Sequence, residues 1–187
     1  PALNALTDMA ALLYRAQLAG IEVPAERWRV VSDYACKSFP NPGIAFADIH
    51  AALAHAMAGN GETLETLITD AAGPAADTVR PVAEGFKAIA AQDWAGGIAS
   101  LTAVMADHER LGGSRAQRDL IEHALAHALL RDGKAVDRSN SSNGSNSGGP
   151  NSNTSSSKPS LRPVCGTRRG WRLSRSRFAQ YSRLTKR

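Results

Sequence analysis

Gly85-Phe86-Lys87-Ala88-Ile89-Ala90-Ala91-Gln92-Asp93-Trp94-Ala95-Gly96-Gly97-Ile98-Ala99-Ser100-Leu101 reads as two helices joined by a tight turn. Val82, Phe86 and Ile89 recur at the spacing of one helical face, and Pro81 is expected in the first turn of that helix. Asp77 is expected to cap it. Asp93 is a residue type whose carboxylate caps a helix N-terminus. Trp94, Ile98, Leu101 and Met105 then supply the inward stripe of the second helix, which the pair Gly112-Gly113 is expected to close.

Working outward, five more segments carry the same punctuation. Leu6, Met9, Leu13 and Ala16 pattern a helix over about Asn4 to Ala19 that stops at Gly20. Pro24 suits a first turn, with Trp28, Val31 and Ala35 as the inner stripe after it. Beyond Asn41-Pro42-Gly43 come Phe46, Ile49, His50, Leu53 and Met57, ending at Gly59-Asn60-Gly61. Leu64, Leu67, Ile68 and Ala71 mark a helix from Glu62 to Ala72. Ser114 and Gln117 have the form of a capping box. The last helix begins there, with Leu120, Ile121, Ala124, Leu125, Ala128 and Leu129 as a wide apolar face, and is expected to end at Gly133.

The segments pair as 1–2, 3–4 and 5–6, with the seventh left over. Turns near Gly20, Gly59 and Gln92, and one expected at Gly133, lie 39, 33 and 41 residues apart. Intervals of that size mark helical hairpin repeats, each burying its apolar face only against neighbours. The expected fold class is all-α, a right-handed superhelix of hairpins. The stretch from Gly85 to Leu101 resembles a tetratricopeptide repeat, with Gly97 where that repeat usually has Ala.

Two further stretches narrow the resemblance. Leu6-Thr7-Asp8, Leu12-Leu13-Tyr14-Arg15, Arg27-Trp28 and Phe46-Ala47-Asp48-Ile49-His50 form one; Gly112-Gly113-Ser114-Arg115-Ala116-Gln117-Arg118-Asp119 forms the other. Together they resemble the C-terminal part of the tetratricopeptide repeat protein 38 family over roughly Ala5 to Ala135. That resemblance implies an α-solenoid with an interaction role, and it brings no catalytic residue.

The organisation expected is a helical repeat domain over 1–136, a disordered Ser/Asn/Gly linker over 137–160 and a basic tail over 161–187. Between Ser139 and Ser157 only Ser, Asn, Gly, Thr and Pro occur, a flexible-linker composition. From Lys158 onward there are ten Lys or Arg and no acid, whereas the preceding residues set twelve basic groups against seventeen acidic ones, a net charge of −5. Any polyanion, nucleic acid included, would therefore meet the tail alone and without sequence preference. Trp171, Phe178 and Tyr181 interleave with arginines there. The tail is expected to be foreign to the repeat, appended or read in a shifted frame. The chain also opens with its first helical pattern under way, as a fragment would. No apolar run reaches the ~20 residues that span a bilayer. Cys36 and Cys165 form no motif, and a reducing cytoplasmic setting is expected.

Function is expected to be protein or peptide binding on a concave face lined by Arg15, Asp48, His50, Lys87, Arg118 and Glu122, without cofactor or metal. Asp48 and His50 invite an acid–base reading and are the residues an enzyme of unknown class would use. Two residues apart on a helix, they point about 200° from each other, so His50 reads as an interior histidine. His123 and His127 have metal-ligand spacing but no third ligand, and read as a polar face. Gly112-Gly113-Ser114 with Arg115 and Arg118 could hold an anion at a helix start. The plainer reading is a glycine stop followed by a cap. A seventh helix without a hairpin partner is expected to expose its stripe and invite self-association.

Overall fold

The computed structural model describes residues 2–143. Among them are seven helices: α1 (Ala2–Leu18), α2 (Ala25–Ser38), α3 (Ala45–Ala58), α4 (Gly61–Asp70), α5 (Ala76–Ala90), α6 (Trp94–Val104) and α7 (Arg115–Asn143). A 3₁₀ turn, His108–Leu111, stands between α6 and α7, and no strand occurs among the described residues. The chain separates into two units, Pro1–Arg131 and Asp132–Arg187. The first holds α1 to α6 and the start of α7 as far as Arg131. Residues 137–143, expected as linker, continue α7. The rest of the expected linker and the 161–187 tail, with Cys165 and the arginine–aromatic pattern, lie outside the described residues.

Neighbours pack on neighbours. α1 meets α2 and α3; α3 meets α2, α4 and α5; α5 meets α4 and α6. Odd-numbered helices thus form a row, and α2 and α4 each bridge two successive members of it. The centre of the row explains the sequence of α3, AFADIHAALAHAMA, which is buried on nearly every side. A helix apolar all round belongs inside, and its alanines let four neighbours approach closely. Leu6, Tyr14, Ile49, Leu53, Val79, Val82, Phe86 and Leu101 form the centre of the core. Tyr14 meets Phe86 edge to face, with ring centroids 6.4 Å apart.

Two close approaches lie in the hairpin of α5 and α6. A Cβ at Gly85 would stand 2.6 Å from Leu101 Cδ2, and one at Gly97 would stand 2.9 Å from Ile89 Cγ1 and 3.5 Å from the Gly85 carbonyl oxygen. Both positions therefore need glycine for space. Gln92, in the turn, carries a φ of 61°. Asp93 caps α6 as expected, its Oδ1 accepting the Gly96 N–H at 2.9 Å.

Four local expectations change. α5 begins at Ala76, so Asp77 lies inside the first turn and Pro81 inside the helix. Proline there removes the bond that the Asp77 carbonyl would otherwise accept. α6 ends at Val104, and the 3₁₀ turn fills the distance to the glycines. α7 passes through Gly133, so that glycine does not end it. The apolar stripe of α7 is covered: Leu120, Ile121, Ala124, Leu125 and Ala128 are all buried, leaving Leu130 66% exposed. The expected route to self-association is therefore closed along most of that face.

Candidate functional site

Asp8, Ala11, Leu12 and Arg15 stand at i, i+3, i+4 and i+7 on one face of α1. Facing them are Ser114 and Gln117 at the start of α7, and the two walls enclose an open cleft of about 320 Å³. Leu12 lies in its middle, 68% exposed.

The segment between α6 and α7 brings those walls together. His108 Nδ1 donates to the Met105 carbonyl at 2.8 Å, and His108 Nε2 lies 3.7 Å from Glu122. Arg110 grips both carboxylate oxygens of Asp77 at 2.8 and 2.9 Å and donates to the Pro74 carbonyl at 2.6 Å. That guanidinium holds the Asp77 carboxyl below its ordinary range. Gly112 and Gly113 both take φ of 81°, a conformation costly for other residues. Gly113 also lies against the Phe46 ring, where a Cβ would come within 2.4 Å of Cε2. Helix α7 then starts with the Gln117 half of the capping box, Oε1 accepting the Ser114 N–H at 2.8 Å. Farther along, Trp94 meets His127 edge to face at 5.5 Å and carries the Arg131 guanidinium 5.0 Å from its ring.

Not all the expected residues reach this cleft. Arg15 lines it. Asp48 and His50 are buried at 3% and 0% exposure, which withdraws both from any surface a partner could touch. Asp48 accepts the Gly43 N–H at 2.9 Å, and burial raises its pKa to about 6. His50 Nδ1 donates to the Phe46 carbonyl at 2.7 Å, which leaves Nε2 as a buried acceptor without a partner. Burial lowers its pKa to about 4; Asp8 favours its charged form and Arg15 opposes it. The two side chains serve separate backbone groups and form no acid–base pair.

Arg118 donates to the Gly113 carbonyl at 2.9 Å and approaches Glu109 at 3.9 Å, so it closes the turn instead of facing an anion. The Ser114 N–H, one donor such an anion would need, is already taken. Arg115 and His123 are exposed. Among the described residues no group of three or more His, Cys, Asp or Glu could hold a metal. No helix among them is long and apolar enough to cross a membrane.

A second, smaller hollow of about 250 Å³ lies between the ends of α3 and α5, lined by His55, Gly59, Leu64 and Lys87 among others. Lys87 is ion-paired with Glu65 of α4. Behind it runs a polar chain that sequence reading missed. Asn60 Nδ2 donates to Ser32 Oγ at 3.3 Å, and Ser32 Oγ lies 2.8 Å from His55 Nδ1. Ser32 Oγ thus bridges the Asn60 amide and the His55 ring. Burial lowers the His55 pKa to about 4. Ser32 is buried, and the chain ties α2 to α3. Its signal was a serine within the inward stripe of α2.

No family model, curated protein or solved structure matches the chain.

Proposed function

We propose that residues 1–131 are an interaction scaffold of tetratricopeptide-like helical hairpins, akin to the tetratricopeptide repeat protein 38 family, which holds a protein or peptide segment in the cytoplasm and catalyses nothing. The observation that carries this reading is the close approach at Gly85 and Gly97. A hairpin repeat needs small residues where its two helices cross, and these stand twelve residues apart on either side of the turn. Support also comes from the order of packing among α1 to α6, in which the main contacts join helices one or two apart along the chain. The cleft between α1 and α7, with both charge signs and an exposed leucine, is the surface offered to a partner.

The test is affinity capture with the full chain against a Leu12→Asp, Lys87→Ala double variant, followed by direct binding of each captured protein in purified form. A partner that binds the purified chain and is lost with the variant supports the scaffold. Turnover of a small molecule by the chain, or partners indifferent to every exposed residue of α1 and α5, would overturn it.

A further inference from the structure

We infer that residues 105–114 form a salt-sensitive latch, closed by the Arg110 guanidinium, that holds the α7 wall of the cleft in place. The opening is a property of this strap; that it governs a partner's access rests on the scaffold reading.

The strap joins α6 to α7, and Arg110 reaches from it to the start of α5. Nη1 donates to Asp77 Oδ2 at 2.8 Å and to Thr78 Oγ1 at 3.4 Å. Nη2 donates to Asp77 Oδ1 at 2.9 Å and to the Pro74 carbonyl at 2.6 Å. A planar fork matched to a carboxylate fixes direction as well as distance. One side chain thus ties the strap to one place on the row. Both charged groups stand at the surface, their side chains 43% and 66% exposed, so dissolved ions screen the tie.

Ser114, the first cleft residue on the α7 side, follows Arg110 by four positions. Between them are buried Leu111 and two glycines at φ 81°. Beyond the cleft, Leu120, Ile121 and Ala124 are fully buried, so the body of α7 stays seated when the fork lets go. What moves is the strap and the first turn of α7, which carries Ser114 and Gln117. The other polar ties of this segment are internal to it or run to its own helix: His108 to the Met105 carbonyl and toward Glu122, Gln117 to the Ser114 N–H, and Arg118 to the Gly113 carbonyl. They travel with the segment. Against α3 the hold is the packing of Gly113 on the Phe46 ring, which has neither the direction nor the charge of the fork.

The experiment is hydrogen–deuterium exchange on the full chain, with the amides of α3 as internal reference. At low salt, Arg110→Gln and Asp77→Asn should each speed exchange over residues 111–118 by about two- to tenfold and leave α3 unchanged. Both remove the same fork, so the double variant should add little to either. Arg110→Lys keeps the charge without the fork and should fall between parent and Arg110→Gln. High salt should speed the same residues in the parent and not in the double variant. Exchange at the parent value in both single variants, or a rise shared equally by α3, overturns the latch and leaves the scaffold reading untouched. A purified partner of the cleft whose affinity shifts with Arg110→Gln and with salt in parallel supports control of access. One that binds parent and Arg110→Gln alike, while the segment opens, overturns that control. If captured proteins prove indifferent to every exposed residue of α1 and α5, the scaffold falls and the exchange result still decides the latch.

Discussion

Replacing Gly85 with alanine should change sign with its surroundings. Helix propensity alone favours alanine by about 1 kcal/mol. Against that, the new Cβ would lie 2.6 Å from Leu101 Cδ2 and 2.8 Å from Cγ. Leu101 is fully buried and cannot swing into solvent, so the crowding should cost about 1–3 kcal/mol. The net expectation for Gly85→Ala is a loss of about 0–2 kcal/mol. Leu101→Ala alone should cost about 2–5 kcal/mol, since it leaves a cavity. In that background the added methyl enters empty space, and Gly85→Ala should become stabilising by about 1 kcal/mol. Urea denaturation followed by far-ultraviolet circular dichroism gives all four corners of the cycle, with an expected coupling of about 1–3 kcal/mol. Additive effects within error would refute the close approach, and with it the hairpin geometry.

The interior gives two other expectations. Gly113→Ala combines a left-handed backbone with contact on the Phe46 ring, and should cost about 2–4 kcal/mol; a midpoint shift below ~0.5 kcal/mol in denaturation would show that the segment does not rest on α3. Acid should destabilise the fold between pH 6.5 and 4. His50 and His55 keep folded pKa values near 4, below their ordinary value of 6.5, so the unfolded chain takes up protons first and stability falls with pH. Asp48, raised to about 6, works in the opposite sense, because the folded chain then takes its proton first. Two histidines against one carboxyl leave a net loss of about 3 kcal/mol, read from urea midpoints across that range. Asp48→Asn should steepen the loss, and His50→Gln should flatten it; a flat profile in the parent chain would contradict the burial of both rings.

All seven helices were legible because Gly and Pro punctuate the chain and apolar residues recur at helical spacing. Boundaries slipped where a residue has two uses. Asp77 looks like a cap but serves Arg110, and Gly133 looks like a stop but lies within a helix. Near-neighbour pairing could be read from the turns. What the turns could not convey is that Gly113 fits only against Phe46, which returns the start of α7 to α1. The cleft comes from that return, so Arg15 was named as a candidate liner while Asp8, Leu12 and Gln117 were not. Asp48 misled as a surface group because a polar residue on an alanine-rich helix looks exposed until all its sides are covered, whereas His50, named among the liners, lies inside as its apolar face had suggested.

That return sets a hierarchy of opening. Most helix contacts join segments near in the chain, whereas Ser114 and Gln117 face residues about one hundred positions earlier. Closing so long a loop is slow and entropically costly. The row α1 to α6 can thus assemble first and the α1–α7 closure last, and native-state amide exchange should find that closure the earliest to let go.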